Sequence, residues 1–313
     1  MGALAFGHTP TEPVAEKPAI QWTDVESTVY LGAIQKLDAD KPLTSTEQQA
    51  ALIFGAGTSI GGARPKFTAQ KDGALWLAKL NRHSDRFNEV RVEAAMLDLA
   101  SKCGIEVPEH DVATAHKQNV LLVKRFDREV TESGILRHRM VSAGTVFEAD
   151  AALAQYSYTG SYPRLARELA RWTVTGDTDR QQLFRRIVFH ALTSVTDDHE
   201  RNHALIAEGL HFRLSPAFDL APKPGGTEKR YLALVIGEYG ALAIRENLLS
   251  RADLFQMTHE SATRTIDEIQ QIIRTGWRDA LAARRVSNSD IGKVARCFDP
   301  PGFEAPPPNN ALL

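Results

Sequence analysis

Residues 194–206 read SVTDDHERNHALI, two aspartates, two histidines, an arginine and an asparagine set in an apolar frame. They follow the helical-looking run QLFRRIVFHALTSV at 182–195. A polar cluster placed there is either a solvated loop or a device for handling something charged. The remainder of the chain has to decide between the two.

Composition narrows the field first. A chain of 313 residues with 43% hydrophobic and 24% charged side chains suits one large domain or two lobes of an ordinary globular protein. A formal net charge of −2 gives no global pull toward nucleic acid or anionic lipid. Cys103 and Cys297 are far apart and lack metal or redox spacing, as expected of reduced thiols in a cytoplasmic protein. The N-terminus has no basic region followed by a long apolar stretch, and Phe6 occupies the position a myristoylation signal gives to Ser or Thr. No run of about 18 apolar residues predicts a membrane span.

Working outward from residues 194–206, the chain divides into a strand-rich first part and a helical second part. Residues 1–20 and the tail 299–313, DPPGFEAPPPNNALL, are expected to be loose extended segments. TSTEQQAALIFG (44–55) predicts a helix start capped by Thr44 or Ser45. A Gly-rich loop follows, leading into β-like sequence. ALWLAKL (74–80) alternates as a short strand does, and RFNEVRVEAAMLDLASKCGI (86–105) predicts an amphipathic helix stopping at Gly104. NVLLVKRFDR (119–128) reads as a buried strand ending abruptly in charge. Three helical segments then dominate: YPRLARELARWTV, QQLFRRIVFHALTSV and ESATRTIDEIQQIIRTGWRDALAARR. Trp22, Trp76, Trp172 and Trp277 stand in apolar contexts and are expected in the core.

Four features carry chemistry. Gly55, Gly57, Gly61 and Gly62, followed by Lys66, form either an ordinary turn or a loop whose amides can cradle a phosphate. Lys79 sits among Leu77, Ala78 and Leu80, where an ammonium needs an anion or a route to solvent. Glu93, on the helix that follows, is a candidate partner, and Glu89 lies one turn away on a similar face. A strand lysine paired with a helix glutamate is how protein kinases hold ATP phosphates. Asp197 and Asn202 are five apart, the separation of the two residues in a kinase catalytic loop that serve the acceptor hydroxyl and Mg²⁺. Asp219, in RLSPAFDLAP, supplies a second oxygen ligand suited to that hard cation. Against this stand a metal-dependent phosphohydrolase built on His190, Asp197, Asp198, His199 and His203, and a nucleotide-binding pseudokinase regulator without catalysis. Arg125, Asp127 and Arg128 could equally be a surface salt bridge at a strand end.

Taken in order, SIGGARPK, WLAKL, VEAAMLDLASKCGIEVPE, LLVKRFDR, FHALTSVTDDHERNHALI and LSPAFDLAP resemble the HipA-family serine/threonine kinases of bacterial type II toxin–antitoxin systems. The likeness covers roughly residues 55–225. It resembles a short, HipT-like form, because only about 45 residues precede the shared core where longer members carry an N-terminal subdomain.

The resemblance implies an α+β, bilobal protein-kinase-like fold. The N-lobe, small, β-rich and mostly antiparallel with one helix, would span 21–127; the larger, mostly helical C-lobe would span 128–298. It also implies roles. Gly61, Gly62, Ala63, Arg64, Pro65 and Lys66 would form the nucleotide-phosphate loop, and Lys79 with Glu93 would hold ATP. Lys124, Arg125 and Phe126 would form the hinge beside the adenine, Asp197 rather than Asp198 would be catalytic, and Asn202 and Asp219 would bind Mg²⁺. His199 would order the loop or touch a phosphate. Ser59 would be an autophosphorylation site that switches the kinase off, its phosphate swinging toward Arg125 and Arg128. Expected partners are ATP, a protein substrate such as an aminoacyl-tRNA synthetase, a helix-turn-helix antitoxin through which DNA is met indirectly, and a separate small protein resembling the N-terminal subdomain. No membrane contact is expected.

Overall fold

The computed structural model describes residues 7–9, 12–13, 19–25, 28–48, 64–116, 118–132, 134–148, 160–225 and 228–308. The chain divides into two compact units: Met1–Ala94 with Pro108–Arg139, and Ala95–Val107 with Met140–Leu313.

The first unit is built on a five-stranded sheet. Its order is β1 (Ile20–Gln21), β2 (Lys66–Lys71), β3 (Ala74–Leu80), β5 (Gln118–Lys124) and β4 (His110–Ala115). Only the short β1–β2 pairing is parallel. Asp72 and Gly73 make the β2–β3 turn with φ of 49° and 72°, the left-handed pair that a two-residue hairpin requires and Asp-Gly supplies. Register then decides which side chain faces where. Phe67 opposes Ala78 and Ala69 opposes Trp76, while Leu80 and Ala78 oppose Val120 and Leu122. These seven share one sheet face and pack with Ile20, Trp22, Val25, Leu31 and Ile34 into a core. Trp22–Val25 and Thr28–Asp38 supply helical cover for that face. Lys79, one residue out of phase, is therefore turned to the opposite face, directly across from Lys66.

Two helical segments cover this core, where one helix was expected for the whole lobe. Thr44 and Glu47 form a reciprocal cap, Glu47 N donating to Thr44 Oγ1 at 3.3 Å and Thr44 N donating to Glu47 Oε2 at 2.8 Å. Residues 45–48 are helical as expected; 49–55 lie outside the described residues.

The second unit is mostly helical. α1 (Tyr162–Trp172) starts at Ser161, whose hydroxyl accepts from Arg164 N, and buries Tyr162, Leu165, Ala166 and Leu169 along one stripe. α2 (Gly176–Thr193) is buried along most of its second half. It ends at Ser194, whose φ of 57° turns the chain into the polar segment. α3 (His259–Ala283) turns Ile266, Ile269, Ile273 and Trp277 inward, and Trp277 stacks on Phe298 at 4.6 Å. A three-stranded sheet pairs Met140–Ser142 with Ala204–Glu208, which hairpins to His211–Leu214.

The hairpin Arg128–Thr131/Gly134–Arg137 and the bond from His138 N to Asp127 O keep residues up to Arg139 in the first unit. Other expectations need correction. The ends are not wholly loose. Gly7–Thr9 pairs with Glu12–Pro13, and Ile20 is a strand residue. In the tail, Asp299 N donates to Leu192 O, Phe303 is buried, and Glu304 is held by Arg245. Trp172 is 52% exposed, since it closes the last turn of α1 with its indole on Glu168. Trp22, Trp76 and Trp277 are buried. No helix among the described residues is long and apolar enough to cross a membrane.

Candidate active site

In the first unit Lys79 Nζ lies 2.6 Å from Glu93 Oε1, and both side chains are about 95% buried. Each charge would be costly alone, so the pair fixes the central strand to the helix Glu89–Lys102 at one point. Glu89 has a different task. With Asp85 it holds Arg64, whose Nη1 reaches Asp85 Oδ2 at 2.6 Å and Leu80 O at 3.1 Å. Burial pulls the Arg64 guanidinium pKa down, but the Asp85 hydrogen bond and the Glu89, Asp85 and Glu93 charges carry it above its ordinary value. Arg64 thus anchors the residues entering β2 to the helix start. Pro65 and Lys66 follow directly, Pro65 O accepting from Leu80 N at 3.1 Å. Gly55, Gly57, Ser59, Gly61, Gly62 and Ala63 lie outside the described residues.

The segment after β5 is an ion cluster. Arg125 grips Asp127 with two bonds of 2.9 and 2.8 Å, and Arg128 Nη1 reaches Asp127 Oδ2 at 2.8 Å. Burial raises the Asp127 pKa, and the two arginines more than reverse it, leaving it below the ordinary value. The salt bridge at the strand end is therefore half-buried, with Asp127 itself enclosed. Lys124 N donates to Glu109 O and Arg125 N to Leu75 O, so two of the three expected hinge amides are engaged within this unit.

The second unit separates the two adjacent aspartates. Asp198 is buried, with Tyr162 Oη, His190 Nδ1 and His203 Nε2 standing 2.5, 2.8 and 2.8 Å from its Oδ2. Burial pushes this carboxyl up, but the histidine charges and hydrogen bonds hold it well below the usual range. Burial, then the Asp198 charge, drives the Tyr162 phenol well above its ordinary value. Asp197 points away, its side chain 67% exposed. Its carbonyl accepts from His199 N at 3.0 Å and from Asn202 Nδ2 at 3.2 Å. With Nδ2 engaged in that bond, Oδ1 is the atom of the Asn202 amide that could serve as a metal ligand. His199 orders the loop through its backbone, its O accepting from Asn202 N at 2.9 Å.

The hairpin then carries the chain to Asp219, which adopts a left-handed φ of 62°. Aspartate tolerates that region better than most residues, and such conformations gather at ligand sites. Asn202 Oδ1 and the Asp219 carboxylate are hard oxygen donors of the kind Mg²⁺ takes.

Residues 58–277 match the profile described as the HipA-like C-terminal domain. The chain belongs to the HipA-like family. A Haemophilus influenzae protein named "Putative kinase" is 24% identical over 204 residues, 57% of each chain. The chain thus spans a little over half the length of this curated relative. Among solved structures it is similar to HipA of Shewanella oneidensis, described in complex with HipB and operator DNA. That match has a TM-score of 0.59 and 17% identity, covering 76% of this chain and 62% of that one. It is also similar to the Helicobacter pylori proinflammatory kinase CtkA, with a TM-score of 0.52, 13% identity, and coverage of 79% and 95%. The α+β architecture, with a sheet-based unit and a helical one, matches the kinase-like fold of these two neighbours.

Within this HipA-like chain the histidines are placed differently from the phosphohydrolase reading. His190 and His203 converge on Asp198 in a closed, buried group. Among the described residues no cluster of three His, Cys, Asp or Glu side chains is arranged to hold a metal. Sequence reasoning missed Tyr162, which looked like an ordinary helix residue, and Lys223, whose Nζ stands 3.7 Å from Asp197 Oδ2. Nothing near Lys223 in the sequence marks it. The two cysteines are buried, their pKa values pushed up to about 12 for Cys103 and about 11 for Cys297, so both stay as thiols.

Proposed function

We propose that this chain is an ATP-dependent kinase that transfers the γ-phosphoryl group to a serine or threonine hydroxyl. The observation that carries this reading is the buried Lys79–Glu93 pair, because an ion pair so costly to desolvate is retained where it positions an ammonium for phosphate. In this reading Lys79 holds ATP phosphates and Glu93 holds Lys79. Asp197 orients the acceptor hydroxyl and takes its proton as the new O–P bond forms and the bond to the β-phosphate oxygen breaks. Asn202 and Asp219 would hold Mg²⁺, which offsets phosphate charge when bound. Asp198 stays out of the chemistry, since Tyr162 and the two histidines enclose it.

Further roles follow by likeness to HipA. We assign the chain to a toxin–antitoxin pair, with a helix-turn-helix antitoxin as partner and an aminoacyl-tRNA synthetase as the protein substrate. Ser59 is proposed as the site of self-inactivating phosphorylation. The Arg125–Asp127–Arg128 cluster carries two cations to one carboxylate, a net positive charge that supports its reception of such a phosphate.

Incubation with γ-labelled ATP and Mg²⁺ tests the reading. Label should appear on the chain or an added protein. Free phosphate without protein label would point to a hydrolase, and nucleotide binding without either would point to a pseudokinase. Mass spectrometry should find phosphate on Ser59 in wild-type protein and not in Asp197→Asn; its absence from an active wild type would remove the self-inactivation step.

A further inference from the structure

Lys223 lies in the segment after Asp219, with no place in the roles assigned above. Two backbone bonds shape that segment: Ala221 N donates to Asp219 O at 3.2 Å, and Lys223 N donates to Ser194 O at 2.9 Å. Ser194 is the C-cap of the helix that delivers the catalytic loop, and its hydroxyl donates to Cys297 O at 2.7 Å while accepting from Arg230. The base of Lys223 is therefore tied to the same rigid helix end that sets the position of Asp197. Its ammonium stands 3.7 Å from Asp197 Oδ2, and its side chain is half exposed. A half-exposed pair at that distance contributes about 0–1 kcal/mol to stability, too little to explain the arrangement by folding. Its orientation has chemical content instead.

We propose that Lys223 is a further catalytic residue, a cation held beside Asp197 to meet the phosphoryl oxygens as they reach the acceptor hydroxyl. The inference rests on the kinase reading above. Before reaction the ammonium is partnered by the Asp197 carboxylate. As the acceptor oxygen bonds to phosphorus, its proton goes to Asp197, the bond to the β-phosphate oxygen breaks and ADP departs. The carboxylate loses its charge in that step, while negative charge remains on the phosphoryl oxygens next to it. Lys223 thereby exchanges a vanishing partner for a persisting one, an interaction stronger in the transition state than in the ground state.

The test uses the full chain, Mg²⁺ and γ-labelled ATP, with self-labelling and labelling of casein as readouts. Lys223→Met keeps the length of the side chain and removes its charge. It should lower kcat by about 10²-fold, with KM for ATP and the melting temperature within twofold and a few degrees of wild type. Lys223→Arg should recover at least a tenth of wild-type kcat. In an Asp197→Asn background Lys223→Met should add less than about threefold, because the two act on one step. The proposal is overturned if Lys223→Met keeps wild-type kcat, if its loss lies in KM for ATP alone, or if the two losses simply multiply. A wild-type chain that labels neither itself nor casein sinks the kinase reading as well, whereas an active wild type with an equally active Lys223→Met sinks only this one.

Discussion

In the first unit the buried charge is the one assigned to the chemistry: Lys79 is enclosed with Glu93, and the pair is both strut and proposed phosphate holder. In the second unit the enclosed carboxylate is Asp198, and the residue assigned to the chemistry is its exposed neighbour Asp197. The physical demands differ. A cation that must be ready for a polyphosphate gains from a fixed, water-poor seat, provided a counter-charge is supplied. A carboxylate that must receive a protein hydroxyl has to stay accessible, so its precision comes from a rigid neighbour. Tyr162, His190 and His203 fix Asp198, and the Asp197 backbone is one peptide away.

The sharpest way to break this contrast is to exchange the fates of the two aspartates. Asp197→Asn should cut phosphoryl transfer by about 10³-fold, the scale of a lost general base, while nucleotide affinity and melting temperature barely move. Asp198→Ala should unfold rather than merely inactivate, costing about 3–5 kcal/mol by denaturant titration, because it strands a phenol and two imidazoles in a dry site. Equal effects of the two substitutions on stability would erase the distinction.

A second comparison sharpens the assignment within the first unit. Glu93→Gln removes the carboxylate charge 2.6 Å from the buried Lys79 ammonium and should cost about 3 kcal/mol. Glu89→Gln should cost under about 1 kcal/mol, since Asp85 still holds Arg64 in a partly exposed setting. Urea midpoints of the two variants decide it, and a larger loss at Glu89 would reverse the assignment. Lys79→Ala should also raise KM for ATP, whereas Asp197→Asn should not.

Legibility in the sequence follows the same division. Lys79 was visible because a lysine on an apolar strand has an evident cost, and strand register alone then turns it away from the core formed by Phe67, Trp76 and Leu122. The choice between Glu93 and Glu89 was not visible, because it depends on where Arg64 falls across a 25-residue separation. The spacing of Asp197 and Asn202 singled out the loop, yet which of two adjacent aspartates faces water depends on Tyr162, 36 positions upstream of Asp198. Composition misled at the tail, where prolines suggested an unpacked segment but Phe303 and Glu304 find an apolar seat and an arginine. Trp172 misled for the opposite reason, since an apolar neighbourhood in sequence does not fix which side of a helix's last turn a residue occupies.

The smallest effect concerns Asp127, where the first unit uses the enclosed-carboxylate device of the second but with arginines in place of histidines. Arginine stays charged at every relevant pH, so only Asp127 titrates within its cluster. Its folded pKa lies below the ordinary 3.8, burial opposing and the Arg125 and Arg128 charges prevailing. A depressed carboxylate contributes stability that is complete above the unfolded pKa and disappears as pH falls through the folded one. Asp127→Asn should therefore cost about 2 kcal/mol at pH 7 and progressively less on acidification below about pH 4. Melting temperatures of the two proteins should converge in that window, with the wild type falling faster. Parallel curves down to pH 2 would mean that the arginines stabilise Asp127 through hydrogen bonds an asparagine can replace, and that charge is not what holds this corner of the sheet.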